Sequence, residues 1–345
     1  MVFVTGATGL LGSHLLYHLA EKGAEVCALK RSGSRLQEVY EVFLQYEASG
    51  GAWRKIRWVE GDVLEKETLE PVIAGAECVY HCAAVVSFSG KDRERLLDIN
   101  LKGTENVAHC CRKHKVRLCY VSSIAALGDA RYEGEIVDEE TPLILERARS
   151  LYSQSKIAAE NMVWTQVARG LNAVVVNPSI ILGAGHWGRS SSRLFLTASK
   201  GMPFYTKGIC GYVDVRDVCE VMVRLAQDEQ VCGERFVVSG GNYTYKELFT
   251  VIARATGQRP PFLYMRPWMT SLAWRTLKML GKATGRTPVF TEETARSAHH
   301  RSYYSAAKLL ARYPEFRFRR LEETIEDIQI QYTRVLQRAG GSIPV

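Results

Sequence analysis

From residue 2 to about 177, short β-branched apolar runs alternate with longer stretches in which apolar positions recur at helical spacing. The runs 2–5, 24–29, 56–60, 77–81, 117–121 and 173–177 read as strands, the last being A-V-V-V-N. Several are apolar on both faces, so both faces must be covered, and crossovers of ten or more residues between them fit parallel pairing. The pattern predicts an α/β fold, a doubly wound parallel sheet with helices on both sides.

After Pro178 the alternation loosens into glycine, serine and proline, then resumes with a helix near 214–228 and a strand near 234–238. These two add a last element to the first sheet. Beyond Gly240 the pattern is mostly helical, and T-Y-K-E-L-F-T-V-I-A-R-A-T-G has a threonine start and a glycine stop. The expected division is a dinucleotide-binding domain over 1–178, completed by about 209–239, and a smaller, mostly helical substrate-binding lobe from 179–208 and 240–345. In that lobe, 262–282 places Met265, Trp268, Met269, Leu272, Ala273, Leu277 and Leu280 on one face, with Arg266, Arg275, Lys278 and Lys282 elsewhere. Such a stripe packs into the lobe's core, roofs an apolar pocket or rests peripherally on a membrane; Pro267 marks its start.

Composition changes this picture little. The chain has 345 residues, 46% of them hydrophobic, enough for a large core. Nine cysteines without C-x-x-C spacing read as free thiols of a reducing compartment. Apolar sequence begins at Val2, leaving no room for a leader, and no run approaches a membrane span, so a cytoplasmic location is the expectation. The net charge of +8 comes with basic residues spread along the chain and no nucleic-acid motif, so nucleic acid is not an expected partner.

The candidate chemistry begins where strand 2–5 runs into T-G-A-T-G-L-L-G and an amphipathic helix. Glycines at 6, 9 and 12 allow a tight turn, close approach of backbone to a pyrophosphate, and packing of helix on strand, while the helix N-terminus supplies amide donors. This is the Rossmann arrangement, and it assigns cofactor contact to Thr5, Gly6, Thr8, Gly9, Leu10, Leu11 and Gly12. After the second strand an NAD enzyme usually has a carboxylate for the ribose. Here Lys30, Arg31 and Arg35 stand instead, which favours the 2′-phosphate of NADP(H), with NAD(H) left open. Asp62 and Val63 end the third strand, where the carboxylate can accept from an adenine amine. His81, Cys82, Ala83 and Ala84 end the fourth, with small residues at the cofactor and a histidine read as structural.

Farther on, Y-S-Q-S-K places Lys156 one helical turn after Tyr152. A phenol titrates near 10, and a lysine on the same face would favour its ionised form, making an acid/base device. Two histidine pairs compete for notice. His14 and His18 at i, i+4 belong to a helix expected to show a solvated face, and no metal site is assigned; His299 and His300 are expected at the surface.

Together these elements resemble the extended short-chain dehydrogenase/reductase (NAD-dependent epimerase/dehydratase) family over nearly the whole chain. They include the TGxxGxxG turn, Asp62, H-x-A-A, Asn100 in D-I-N-L-K-G-T, V-S-S-I-A-A-L-G, Y-x-x-x-K, N-P-S-I-I-L-G and V-D-V-R-D-V around Asp217. The resemblance implies that Ser123 orients the substrate oxygen, Tyr152 is the acid/base, Lys156 its partner and nicotinamide-ribose ligand, and Asn100 part of a water-linked proton path or the fixer of a helix bend. It implies that Pro178, Ile180 and Ile181 line the nicotinamide pocket, and a homodimer by analogy.

Dehydratases of the family carry Asp-Glu where this chain has Ile124 and Ala125, and many epimerases a tyrosine where it has Leu127. V-V-V-N-P-S-I-I-L-G and Y-Y-S-A-A-K are similar to the dihydroflavonol reductase, cinnamoyl-CoA reductase and 3β-hydroxysteroid dehydrogenase branch. The expected function is an NADP(H)-dependent oxidoreductase interconverting a ketone or aldehyde and an alcohol on an apolar small molecule. The alternatives are a nucleotide-sugar epimerase holding NAD tightly and a non-catalytic NADP-sensing protein.

Overall fold

A computed structural model describes residues 1–47, 49–87, 92–144, 149–188, 191–284 and 292–338. Its strands are β1 (Val2–Thr5), β2 (Val26–Lys30), β3 (Ile56–Glu60), β4 (Cys78–His81), β5 (Arg117–Val121), β6 (Ile136–Val137), β7 (Ala173–Pro178), β8 (Ile180–Leu182), β9 (Phe204–Tyr205), β10 (Ile209–Asp214), β11 (Glu234–Val238), β12 (Gly241–Thr244), β13 (Leu263–Tyr264) and β14 (Tyr303–Tyr304). The helices are α1 (Leu10–Glu21), α2 (Leu36–Tyr46), α3 (Gly51–Arg54), α4 (Lys66–Ala74), α5 (Arg93–Leu96), α6 (Thr104–His114), α7 (Leu151–Val167), α8 (Ser192–Ala198), α9 (Val215–Gln227), α10 (Tyr245–Ala255), α11 (Pro267–Thr284), α12 (Glu292–Ser297), α13 (Ala307–Arg312) and α14 (Leu321–Arg338).

Seven strands form one parallel sheet in the order β11-β7-β5-β4-β1-β2-β3. The chain starts at β1, builds outward through β2 and β3, then returns to build the other half from β4. That reversal leaves a crevice beside β1 and β4 at the carboxyl ends of the strands, where such sheets bind ligands.

Alternate strand residues feed two cores. Val4, Ala28, Tyr80, Cys119 and Val174 join Leu15, Leu16, Leu19, Val218 and Met222 on one face, while Phe3, Cys27, Val79, Leu118 and Val175 join Val107, Ala159 and Val163 on the other. Burial on both faces is the physical reason these strands read as continuous apolar runs.

The return after Pro178 is more divided than its pattern suggests. Helix α9 packs on α1 and β11 pairs with β7, so both complete the first sheet. Strand β10, however, pairs with β8 and β12 in a separate three-stranded sheet. Gly211 interrupts its pattern because a side chain there would meet Ser239, Ser179 and Tyr304. The C-terminal part is divided too. Leu309 and Phe316 pack into the core of the first sheet, whereas Leu321, Ile325 and Ile328 of α14 join Phe195, Leu248 and Ile252 in a core of their own.

Helix α10 begins as its sequence predicts. Thr244 and Glu247 form a reciprocal cap, and Gly257 follows its end in left-handed backbone with φ of 68°. Helix α11 starts at Pro267, but its stripe is split: Met265, Met269 and Ala273 are half-buried while Trp268, Leu272 and Leu277 are exposed. Leu280 and Lys282 lie outside the described side chains.

Candidate active site

The turn after β1 is built by contact with β4. Gly6 has φ of +67° and lies so close to the Cys82–Ala83 backbone that any side chain would collide with it, and a side chain on Gly12 would strike the Gly6 carbonyl. The small residues after β4 thus admit the loop itself. Gly9 caps α1 without a side-chain hydrogen bond and no acid occupies the first turn, which leaves the helix amides to an anionic group. These features fit a dinucleotide pyrophosphate. Leu10 and Leu11 pack against the core below, and the Thr5 side chain is wholly buried.

Thr5 Oγ1 lies 2.6 Å from His81 Nδ1, and His81 Nε2 lies 3.0 Å from Thr104 Oγ1, which itself donates to the Asn100 carbonyl. Burial, aided by Lys156, pushes His81 down to about 3. A neutral ring that accepts from Thr5 and donates to Thr104 satisfies every partner, so His81 clamps β1 to α6.

At the adenosine end, Lys30 pairs with Glu60 at 3.4 Å and Arg35 with Glu38 at 3.3 Å. Arg31 is exposed and forms no ion pair among the described residues. Asp62 Oδ1 accepts from the Leu64 amide at 3.0 Å and shapes its turn. Val63 is core, packed so tightly that a Cβ on Gly103 would lie 2.7 Å from its methyl. Ala83 is half-buried and Ala84 exposed.

Asn100 lies in a π-helical segment, Leu97–Gly103. Its Oδ1 accepts from the Val85 amide at 2.7 Å, and its Nδ2 donates to the Val85 carbonyl at 3.0 Å and Ser155 Oγ at 2.9 Å. Ser155 Oγ in turn donates to the Tyr152 carbonyl at 2.7 Å. The side chain fastens the segment after β4 to the helix bearing the dyad.

Ser123 and Tyr152 are hydrogen-bonded through their side chains. Ser123 caps a 3₁₀ turn, Ile124–Ala126, by accepting from the Ala125 amide at 3.1 Å. Ser150 caps α7, and Ser153 Oγ donates to the Ala125 carbonyl at 2.6 Å, locking that turn to the helix. Lys156 is buried, with Nζ donating to the Val121 carbonyl at 2.8 Å and to Tyr120 Oη at 3.2 Å. Desolvation pushes it down to about 8 against the attraction of Glu160.

The expected lowering of the Tyr152 phenol by Lys156 is not what the structure has. Burial raises Tyr152 above its ordinary value, opposed by the bond to Ser123. The reason is directional: the ammonium turns down to the end of β5, while the phenol turns to Ser123.

Glu160, which the sequence reading passed over, completes the centre. Buried one turn beyond Lys156, it accepts from Ser122 Oγ at 2.5 Å, Asn177 Nδ2 at 2.8 Å, Trp164 Nε1 at 3.2 Å and Arg235 Nη1 at 3.3 Å. Asn177 Nδ2 also donates to the Ser123 carbonyl at 3.0 Å. The available signal was an acid eight residues after Tyr152 on the same helical face. Pro178 is buried at the end of β7; Ile180 and Ile181 are half-buried and pack against the lobe core and the sheet core respectively.

Other expected features are structural. His14 is buried rather than solvated, lying 2.5 Å from Tyr46 Oη and 2.9 Å from the Ala184 carbonyl, and burial holds it near 4. His299 is half-buried, 2.8 Å from Thr270 Oγ1. Asp217 is buried against Arg319, accepting from its amide at 2.8 Å, and Asp214 caps α9 while accepting from Thr324 Oγ1 at 2.8 Å.

Residues 2–239 match the model of the NAD dependent epimerase/dehydratase family. The chain is 30% identical over 315 residues to a putative dihydroflavonol 4-reductase of Synechocystis sp., covering 89% of this chain and 87% of that one. It is also 30% identical over 267 residues to sterol demethylase protein B of Methylococcus capsulatus, covering 76% and 77%. Among solved structures, gox2253 superposes with a TM-score of 0.79 at 26% identity over 99% of each chain.

Two outcomes follow from the buried charges. Lys156 titrates near 8 when folded and near ~10.4 when unfolded, so burying its ammonium costs up to ~3 kcal/mol below pH 8, a cost that fades as pH rises between the two values. After loss of its two hydrogen bonds, Lys156→Met should still unfold about 1–2 kcal/mol harder at pH 7, with the advantage shrinking toward pH 10 in denaturant titrations. Because Glu160 holds Lys156 up, Glu160→Gln should shift the Lys156 inflection in the pH–rate profile to lower pH, beyond any loss of stability.

Proposed function

The chain belongs to the NAD dependent epimerase/dehydratase family and is an oxidoreductase of that family; we propose that it uses NADP(H) to interconvert a ketone or aldehyde and an alcohol on an apolar small molecule. The observation that carries this reading is the hydrogen-bonded Ser123–Tyr152 pair one turn ahead of a buried Lys156, at the carboxyl end of the parallel sheet. Ile124 and Ala125 occupy the next positions and offer no acid or base for elimination of water. Relatives named dihydroflavonol 4-reductase, cinnamoyl-CoA reductase and 3-beta-hydroxysteroid dehydrogenase support a carbonyl on an apolar skeleton.

When bound, the nicotinamide supplies a hydride to the carbonyl carbon. The protein's part is positional and protic. Ser123 donates to the carbonyl oxygen and holds it beside the phenol, and Tyr152 gives that oxygen its proton. A phenol raised by burial is fully protonated at neutral pH, which suits a proton donor. The phenolate that remains regains its proton from water, and the Lys156 ammonium, turned to the end of β5, would meet the nicotinamide ribose. In alcohol oxidation the same groups run in reverse. The glycine turn and α1 amides would hold the pyrophosphate, and exposed Arg31 would meet the 2′-phosphate.

The test follows NADPH and NADH consumption against steroid ketones, flavanonols and aromatic aldehydes, with UDP-sugars alongside. Tyr152→Phe should lower kcat by about 10²–10⁴-fold with NADPH affinity nearly unchanged; undiminished turnover in that variant, or sugar isomerisation without net cofactor use, would overturn the reading. Arg31→Ala should raise KM for NADPH about tenfold and leave NADH alone, with Arg35→Ala weaker because Glu38 already engages that side chain.

A further inference from the structure

The net charge of this chain has an address that its basic residues alone do not show. Residues 179–208 and 258–291 hold ten of the 45 Lys and Arg but none of the 37 Asp and Glu. The remainder carries 35 against 37 and is almost neutral. Basic residues are spread evenly; the acids avoid these two segments.

Strands β9 and β13 join the segments, with Leu263 in register with Phe204, and α11 starts three residues after β13. On this part of the lobe the apolar residues point to solvent. Phe204, Phe262 and Leu263 are 45–50% exposed, and Trp268, Leu272 and Met279 are 57–73% exposed. At 100° per residue Trp268, Leu272, Arg275 and Met279 fall within about 60° of one another, so α11 shows one outward stripe of tryptophan, leucine, arginine and methionine. The cations beside it have no carboxylate partners among the described residues and lie on rings instead. Arg275 and Lys278 flank Trp274 at 5.7 and 5.3 Å, Lys207 lies 4.8 Å from the Tyr264 ring, and Arg259 lies 4.2 Å from that of Phe262.

We propose that α11 and the adjoining β9–β13 edge form a docking surface for an anionic lipid bilayer, on which the protein rests without crossing it. Exposed tryptophan, phenylalanine and leucine enter the headgroup boundary, unpaired Lys and Arg face the anionic surface, and ring-stacked cations sit at the level between. A second copy of the chain is the poorer occupant, because it would bring a like-charged face against this one. No described helix is long and apolar enough to cross a membrane. The proposal does not depend on which reaction the dyad performs.

The test is co-sedimentation of the full chain with vesicles of phosphatidylcholine alone or with about 30% phosphatidylglycerol, at low and high salt. Partitioning should be at least about tenfold stronger on the anionic vesicles and fall severalfold with salt. Arg275→Glu with Lys278→Glu should weaken it about tenfold or more, as should the triple variant Trp268→Ser, Leu272→Ser and Met279→Ser. Both variants should keep wild-type NADPH affinity and circular dichroism, which separates lost docking from lost folding. Equal weak partitioning on both vesicles, or wild-type partitioning by both variants, would overturn the proposal. So would a fall in oligomeric mass in the triple variant with vesicle binding unchanged, which would make the face a self-association surface.

Discussion

A lysine ammonium buried at the carboxyl end of the central sheet sets the terms for its surroundings. Removing an ammonium from water is costly unless hydrogen-bond acceptors and counter-charges are arranged around it. For Lys156 the arrangement is the Val121 carbonyl, the Tyr120 hydroxyl and, one turn along α7, the carboxylate of Glu160. Glu160 is itself buried and draws Ser122, Asn177, Trp164 and Arg235 to it. Through Asn177 the same network reaches the backbone of Ser123. The backbone that carries Ser123 is thus held by groups whose first task is to keep two opposite charges inside the protein.

The cofactor side is governed by closeness instead of charge. Gly6 lies against the backbone that follows β4, and the neutral His81 ring bridges β1 to α6. Asn100 then draws the backbone at Val85 toward Ser155 of α7. Loop, strand end and helix α7 form one hydrogen-bonded unit around the crevice where the strand order reverses. Its position follows from that reversal and its rigidity from buried polar groups whose partners are supplied.

The lobe is joined to this unit by the two buried acids of the V-D-V-R-D-V run. Asp214 and Asp217 hold the start of α9 to α14 and to the segment before it, through Thr324 and Arg319 respectively. The lobe's own core is smaller, and α11 leaves a broad apolar and basic stripe uncovered. A helix that only packed against its neighbours would not keep tryptophan, leucine and methionine outside.

The parallel sheet, the glycine turn and the Tyr152–Lys156 pair are legible in the chain because each rests on local spacing, whereas Ser123 came only with the family resemblance. Burial on both faces writes strands as short apolar runs, glycine marks left-handed or crowded backbone, and a four-residue interval marks one helical face. What spacing cannot carry is the direction in which a buried side chain turns and which distant segment meets it. Lys156 serves the end of β5 in preference to the phenol, Glu160 becomes the hub of the site, and β10 leaves the first sheet for a small one of its own. The stripe of α11 was visible as a stripe, but which part of the helix is buried depends on the segments that meet it, as His299 meets Thr270. Tertiary packing alone decided these points, because desolvation and hydrogen-bond satisfaction are settled between segments and leave no periodic trace within any one of them.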